Sequence, residues 1–155
     1  MGLEQVRAWM EERGMGQRVR EFTVSSATVE LAAQALGYEQ ARIAKTLSLA
    51  REGGCLLLVT AGDVKIDNAK FKHHFGHKAR MLTAEQVPQL TGHPVGGVCP
   101  FALPDGAVVC LDVSLRRFES VFPACGSANS AIELTPEELW HLTGQPEWVD
   151  VCRPR

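Results

Sequence analysis

Ile43-Ala44-Lys45-Thr46-Leu47-Ser48-Leu49-Ala50, followed by Arg51-Glu52-Gly53-Gly54 and then Cys55-Leu56-Leu57-Leu58-Val59-Thr60-Ala61, is the stretch on which the architecture turns. Two apolar runs of strand length flank a short connection with paired glycines, and that pattern predicts a β-hairpin. On either side, short strand patterns and short helical patterns interleave without regular βαβ spacing. The arrangement predicts a mixed sheet of α+β character, not a doubly wound fold.

Upstream, Leu3 to Glu12 has apolar positions at helical spacing, and Gly14 and Gly16 end that helix. Glu21 to Val24 reads as extended. Ser26 or Thr28 caps a second helix that carries Leu31, Ala32, Ala35 and Leu36 and closes at Gly37. Downstream, Asp67 caps a short helix ending at Gly76, with Phe71 and Phe75 on one face. Thr83 and Gln86 form a capping box for another, which Pro88 keeps short. Val95 to Cys99 and Ala107 to Val113 read as strands around a turn at Leu103-Pro104-Asp105-Gly106, and Ser120 to Ala124 and Ala131 to Leu134 add two more. Thr135-Pro136-Glu137-Glu138 is the clearest helix start, and its helix stops at Gly144. Glu147 to Cys152 reads as a last strand.

The chain has 155 residues, 45% hydrophobic and 22% charged, which suits one domain with a real core. No apolar run is long enough to span a bilayer, and Met1 to Arg20 lacks a secretory apolar segment, so a cytoplasmic protein without membrane contact is expected. Five cysteines, none in a C-x-x-C pair, point to free thiols in a reducing compartment. A net charge of −2 speaks against wholesale nucleic-acid binding. Charge is uneven, however: Lys65, Lys70, Lys72, Lys78 and Arg80 gather against Asp67 alone. That face is either a solvated helix side or a contact for phosphates.

Chemistry concentrates in few places. Thr91-Gly92-His93-Pro94-Val95-Gly96-Gly97-Val98-Cys99-Pro100-Phe101 is a constrained loop whose backbone N–H groups can cradle a carbonyl or phosphate, or it is merely a tight turn. Lys45, at the start of an apolar strand, either snorkels to solvent or holds a cation over a pocket. Cys99 and His93 admit a reading as thiol and base, but no acidic residue nearby orients the histidine. His73 and His77 stand at helical metal-pair spacing without a carboxylate to complete a site, and no metal or other cofactor is expected. Gly126-Ser127-Ala128-Asn129-Ser130 is a polar loop between two strands, a turn or a ligand contact. P-loop, G-x-S-x-G and H-E-x-x-H motifs are absent.

In order, Ala44-Lys45-Thr46-Leu47, Asp67-Asn68-Ala69-Lys70-Phe71, Leu90-Thr91-Gly92 running into Val95 to Phe101, Leu111-Asp112, and Gly126-Ser127 to Glu133-Leu134 resemble the YbaK family. This is the prolyl-tRNA editing domain, which also occurs inserted in bacterial prolyl-tRNA synthetases. The resemblance covers Glu21 to Thr143 and leaves the N-terminal helix, residues 1–20, outside it. It implies a compact single domain over 1–155 with a mixed, barrel-like sheet surrounded by short helices, standing free of a synthetase. It also implies trans-editing: hydrolysis of the ester that joins a small wrong amino acid to the 3′ end of a tRNA, expected to be tRNA-Pro. Such editing is needed where binding alone cannot reject a near isostere.

Carried over by position, Lys45 matches the family's signature lysine, and Gly96, Gly97 and Val98 match a loop whose N–H groups face the ester carbonyl. His93, Cys99, Pro100, Phe101, Ser127, Asn129 and Ser130 are the expected substrate-side residues, with Lys65, Lys70 and Lys72 on the tRNA. Cys99 and Ala102 depart from the family pattern, in which the former is small or polar and the latter glycine. The resemblance further implies a substrate-assisted mechanism without a protein nucleophile, and aminoacyl-tRNA and a prolyl-tRNA synthetase as partners. The competing readings are a non-catalytic module of the same fold that binds a small ligand or protein, and a hydrolase using Cys99.

Overall fold

The computed structural model describes residues 2–25 and 28–155. Helix α1 (Leu3–Glu11) buries Val6 and Met10, one turn apart on its inner face. Strand β1 (Val19–Glu21) follows, then α2 (Val29–Leu36). The Thr28 hydroxyl caps α2 by accepting from the Leu31 N–H at 3.1 Å, and Gly37 closes it at φ 77°. Ser26, the other expected cap, lies outside the described residues.

The hairpin forms as expected: β2 (Ile43–Arg51) and β3 (Gly54–Ala61) pair antiparallel from Ala44 opposite Ala61 to Arg51 opposite Gly54. The remaining elements are β4 (Val64–Ile66), α3 (Asn68–Phe75), α4 (Gln86–Thr91), β5 (Ala107–Asp112), β6 (Phe122–Pro123), β7 (Ser130–Ile132), α5 (Pro136–Leu142), β8 (Trp148–Val149) and β9 (Cys152–Pro154). A five-stranded sheet runs β6-β2-β3-β5-β8, antiparallel only within the hairpin, and two antiparallel ribbons, β1-β7 and β4-β9, flank it. The fold is mixed α+β. Leu57, Leu58 and Val59 on the central strand β3 are wholly buried, with Leu111, Phe71, Phe101 and Leu139 packed around the sheet. A strand with so long an apolar run needs cover on both faces, and the short helices supply it.

Three expectations are corrected. The extended stretch expected at Glu21 to Val24 sits earlier, at Val19–Glu21, where it pairs with β7. Val95 to Cys99 is no strand: Val95 and Gly96 form a turn, closed by the Gly97 N–H donating to the Pro94 carbonyl at 3.0 Å, and Gly96 takes φ 88°. Glu147 to Cys152 splits in two. The Asp112 carboxylate, buried at 1% exposure, accepts from the Val151 N–H at 3.1 Å in the break between β8 and β9.

Candidate active site

A cavity of about 480 Å³ opens beside β2, bounded by α2, by residues 81–87, by the turn at Val95 to Val98 and by the loop leading into β7. That volume suits a small ligand. Lys45, Thr46, Gly96, Val98, Phe122 and Ser130 are among its lining residues.

Lys45 is the third residue of β2, held in place by pairing opposite Thr60. Its side chain is half-buried, with Nζ 3.5 Å from the Val64 carbonyl. Burial, reinforced by the Arg155 charge, brings its pKa below the ordinary lysine value, while Cys152 and Glu30 act in the opposite sense. The snorkelling alternative is therefore only partly realised: this ammonium is neither fully solvated nor neutralised by a salt bridge among the described residues.

The glycine turn is positioned by close backbone packing. A Cβ on Gly97 would lie 2.7 Å from the Ser127 Cα and N, so only glycine lets the turn seat on the polar loop. Gly126 in turn lies against Gly2, where an added Cβ would come within 2.6 Å of the Gly2 carbonyl carbon. Three layers of main chain thus stack at one side of the site. Because the Gly97 N–H is used within the turn, the amides of Gly96 and Val98 are the ones without an acceptor among the described residues.

Of the other expected site residues, one lines the cavity and the rest lie around it or apart from it. Ser130 lines the cavity, and its Oγ accepts from the Cys125 N–H at 3.2 Å. Ser127 and Asn129 tie the loop together: the Ser127 hydroxyl lies 2.9 Å from Asn129 Oδ1 and 2.8 Å from Ser130 Oγ, and Asn129 Nδ2 donates to the Phe22 carbonyl at 2.8 Å. His93, Cys99 and Phe101 are fully buried behind the turn, and Pro100 lines a separate cleft with Trp9 and Pro104. Ala102 holds φ 53°, in the left-handed region that favours glycine.

Cys99 and His93 do meet, with Sγ 3.5 Å from Nε2. The same Nε2 lies 2.7 Å from the Phe101 carbonyl, an acceptor only, so it carries the proton and donates. The nitrogen nearest the thiol is then no base. Burial pushes the Cys99 thiol up to about 12 and the imidazole pKa down. All five cysteines are free and buried.

Of the lysines expected on tRNA, Lys70 is engaged: Nζ lies 3.2 Å from Asp150 Oδ1 and donates to the Cys152 carbonyl at 3.1 Å. Lys65 and Lys72 are exposed. Further along the segment, Lys78 and Arg80 join Arg51 and His77 around an open cleft of about 800 Å³, with Glu52 the one acid on its lining. Residues from one short segment line both hollows, Met81 the cavity and its neighbour Arg80 the cleft. His74 pairs with Glu147 at 3.1 Å, and no cluster of three His, Cys, Asp or Glu suited to a metal occurs among the described residues. No helix among them is long and apolar enough to cross a membrane.

A model of the aminoacyl-tRNA editing domain matches residues 23–142. The chain belongs to that family. The uncharacterized protein YwhH of Bacillus subtilis (strain 168) is 53% identical to this editing domain over 154 residues, covering 99% of this chain and 98% of YwhH. The "Putative Cys-tRNA(Pro)/Cys-tRNA(Cys) deacylase EbsC" of Enterococcus faecalis is 28% identical, over 86% of this chain and 84% of EbsC. A crystal structure of "a putative trans-editing enzyme for prolyl tRNA synthetase" superposes with a TM-score of 0.87 at 33% identity, covering 97% of this chain and 96% of that one. The resemblance drawn from the ordered motifs and the mixed α+β class both hold.

Most of the lining was not expected from the sequence, Thr46 and Ser48 of β2 included. Thr46 and Ser48 put hydroxyls into an otherwise apolar strand, and Thr46 Oγ1 is buried without a hydrogen-bond partner. The signal was present: a polar residue inside a strand that is otherwise apolar invites the question of what it faces.

Proposed function

We propose that this editing domain is a deacylase that hydrolyses the ester of a mischarged aminoacyl-tRNA, with tRNA-Pro carrying a small wrong amino acid as its substrate. The observation that carries the reading is one cavity lined by a half-buried lysine and by Gly96 and Val98, whose amides have no acceptor among the described residues. Preorganised donors of this kind stabilise the oxyanion that develops when an ester carbonyl is attacked. Lys45 supplies positive charge to the substrate's phosphate or acyl group.

No protein nucleophile enters. The thiol closest to the turn is buried, held at about 12, and faces a nitrogen that already donates. The attacking group comes instead from the substrate's side: a water positioned by the free ribose hydroxyl adds to the ester carbonyl, or the substrate's own thiol adds to it and closes a cyclic thioester. The ester C–O bond breaks, the departing ribose oxygen takes the proton lost by the nucleophile, and free tRNA is released. The enzyme contributes position, worth roughly 7–11 kcal/mol in well-oriented reactions. The acceptor-stem phosphates meet the Lys65 to Arg80 segment, and a prolyl-tRNA synthetase is a fitting partner.

The test is a pair of variants on mischarged tRNA-Pro. Lys45→Ala is expected to lower kcat/KM by about 100-fold or more, the scale of losing one oxyanion-type contact. Cys99→Ala is expected to stay within a few-fold of wild type. Full activity in the first variant, or complete loss in a folded Cys99→Ala, overturns the reading.

A further inference from the structure

The outer edge of β2 is hydrogen-bonded at both ends and open in the middle. At its start β2 pairs with β6 through Ile43 and Ala44. Towards its end the Leu82 N–H donates to the Ser48 carbonyl at 3.0 Å, and the Ala50 N–H donates to the Arg80 carbonyl at 2.7 Å. Between these contacts lie Lys45, Thr46 and Leu47, all on the cavity lining.

The hairpin register says which of the three faces outward. Along an antiparallel strand the main-chain groups of successive residues alternate in direction. Ser48 and Ala50 direct theirs away from β3, so Thr46, two residues before Ser48, does the same. Its N–H and C=O therefore open into the gap, without a partner among the described residues. Its Oγ1 is buried and unpartnered as well. Unpaired polar groups out of water are costly, and nearly all buried ones find a partner. Here one residue on a cavity lining carries three of them.

We infer that this gap is the subsite for the aminoacyl group, which docks on Thr46 as a single-residue strand addition. The proposal rests on the deacylase reading. An α-amino acyl ester carries a donor, the α-ammonium, and an acceptor, the ester carbonyl, in the order of one strand residue. The α-ammonium donates to the Thr46 carbonyl and to Oγ1. The Thr46 N–H donates to the ester carbonyl, whose second lone pair leaves room for one amide of the glycine turn. Main-chain hydrogen bonds give affinity in such additions, and pockets on either side read the side chain. β6 at one end and residues 80–82 at the other restrict the gap to about one residue. Recognition of the α-amino acid frame is thereby separated from recognition of its side chain.

The experiment compares each hydrolysed aminoacyl-tRNA with its α-hydroxy analogue, alanyl-tRNA against lactyl-tRNA first, on wild type, Thr46→Ser and Thr46→Val. Wild type is expected to prefer the amino over the hydroxy substrate by tenfold or more in kcat/KM. Thr46→Ser should keep that ratio, and Thr46→Val should shrink it several-fold, the ratio being read independently of any change common to both substrates. A misfolded variant would lose both substrates together, and the wild-type comparison does not depend on any variant. Equal hydrolysis of the two esters by wild type, or an unchanged ratio in Thr46→Val, overturns the inference and leaves the deacylase reading standing. Failure to hydrolyse any aminoacyl-tRNA overturns both.

Discussion

Lys45 is a case in which stability and function pull apart. Its burial disfavours the charged form, so its pKa in the fold lies below the unfolded value. The resulting penalty is fully present below the folded-state pKa and fades as pH rises towards the unfolded one. Replacement by a methionine of similar length removes a charge from a half-buried place. Lys45→Met is therefore expected to raise the thermal midpoint at pH 7 while abolishing deacylation; a lowered midpoint would show that the ammonium is stabilising where it sits. His93 gives a second pH signature. It is buried neutral with its pKa lowered from 6.5, so folding stability falls as pH drops below about 6.5 and goes on falling down to the depressed value. Glu138, held at about 2 by Arg18, and Asp63, held low by Arg117, lose their contributions only at more acid pH. Urea titrations at pH 7 and pH 5 should show a larger loss for wild type than for His93→Gln, which keeps a donor for the Phe101 carbonyl but cannot titrate. Parallel losses would remove His93 from the account.

At the scale of elements, the sequence was most readable where side chains themselves make the structure. The Thr135 capping box forms as expected, with the Glu138 N–H donating to Thr135 Oγ1 at 3.0 Å and the Thr135 N–H to Glu138 Oε1 at 2.9 Å. The Thr83–Gln86 box forms by the same pair of bonds. The β2–β3 hairpin was legible from its two apolar runs and glycine turn. What failed was the assignment of Val95 to Cys99, whose apolar and small residues look like a strand. Its conformation is set by contact with Ser127, some thirty positions away, and no local pattern carries that. Short ribbon strands such as β4 were equally silent, being three residues long and defined by their partners. The candidate site was half legible: Lys45 and the turn came from ordered motifs, while Thr46 needed the open edge of β2. Gly97→Ala tests the turn as a unit. Its Cβ would overlap the Ser127 backbone, so a loss of roughly 1–3 kcal/mol in urea denaturation is expected, as for overpacking elsewhere. A reduced kcat should accompany it; a variant of unchanged stability and activity would mean that the two loops are not held in contact.

Across the whole molecule, the N-terminal helix belongs to the site's support although the family match begins after it. Val6 and Met10 are fully buried, Trp9 packs on Phe101 with ring centroids 5.7 Å apart, and Gly2 meets Gly126 behind the glycine turn. The charge of the molecule is arranged more locally than its total of −2 suggests. Arg51, Lys78 and Arg80 have no acidic partner within salt-bridge reach among the described residues, whereas Lys70 is already paired with Asp150. Charge reversal of Arg51 and Arg80 together is expected to raise KM for tRNA by about tenfold with kcat little changed, and to flatten the dependence of binding on salt. A larger effect from reversing Lys65 and Lys72 would centre the phosphate contact on those lysines instead.

The most direct measurement is release of free amino acid from tRNA-Pro charged in turn with alanine, cysteine, serine, threonine and proline, by wild type and Lys45→Ala side by side. Rapid hydrolysis of one small mischarged species is expected, with prolyl-tRNA spared and release dependent on Lys45. A folded wild-type protein that releases nothing across the panel, or releases it equally without the lysine, would contradict the deacylase reading.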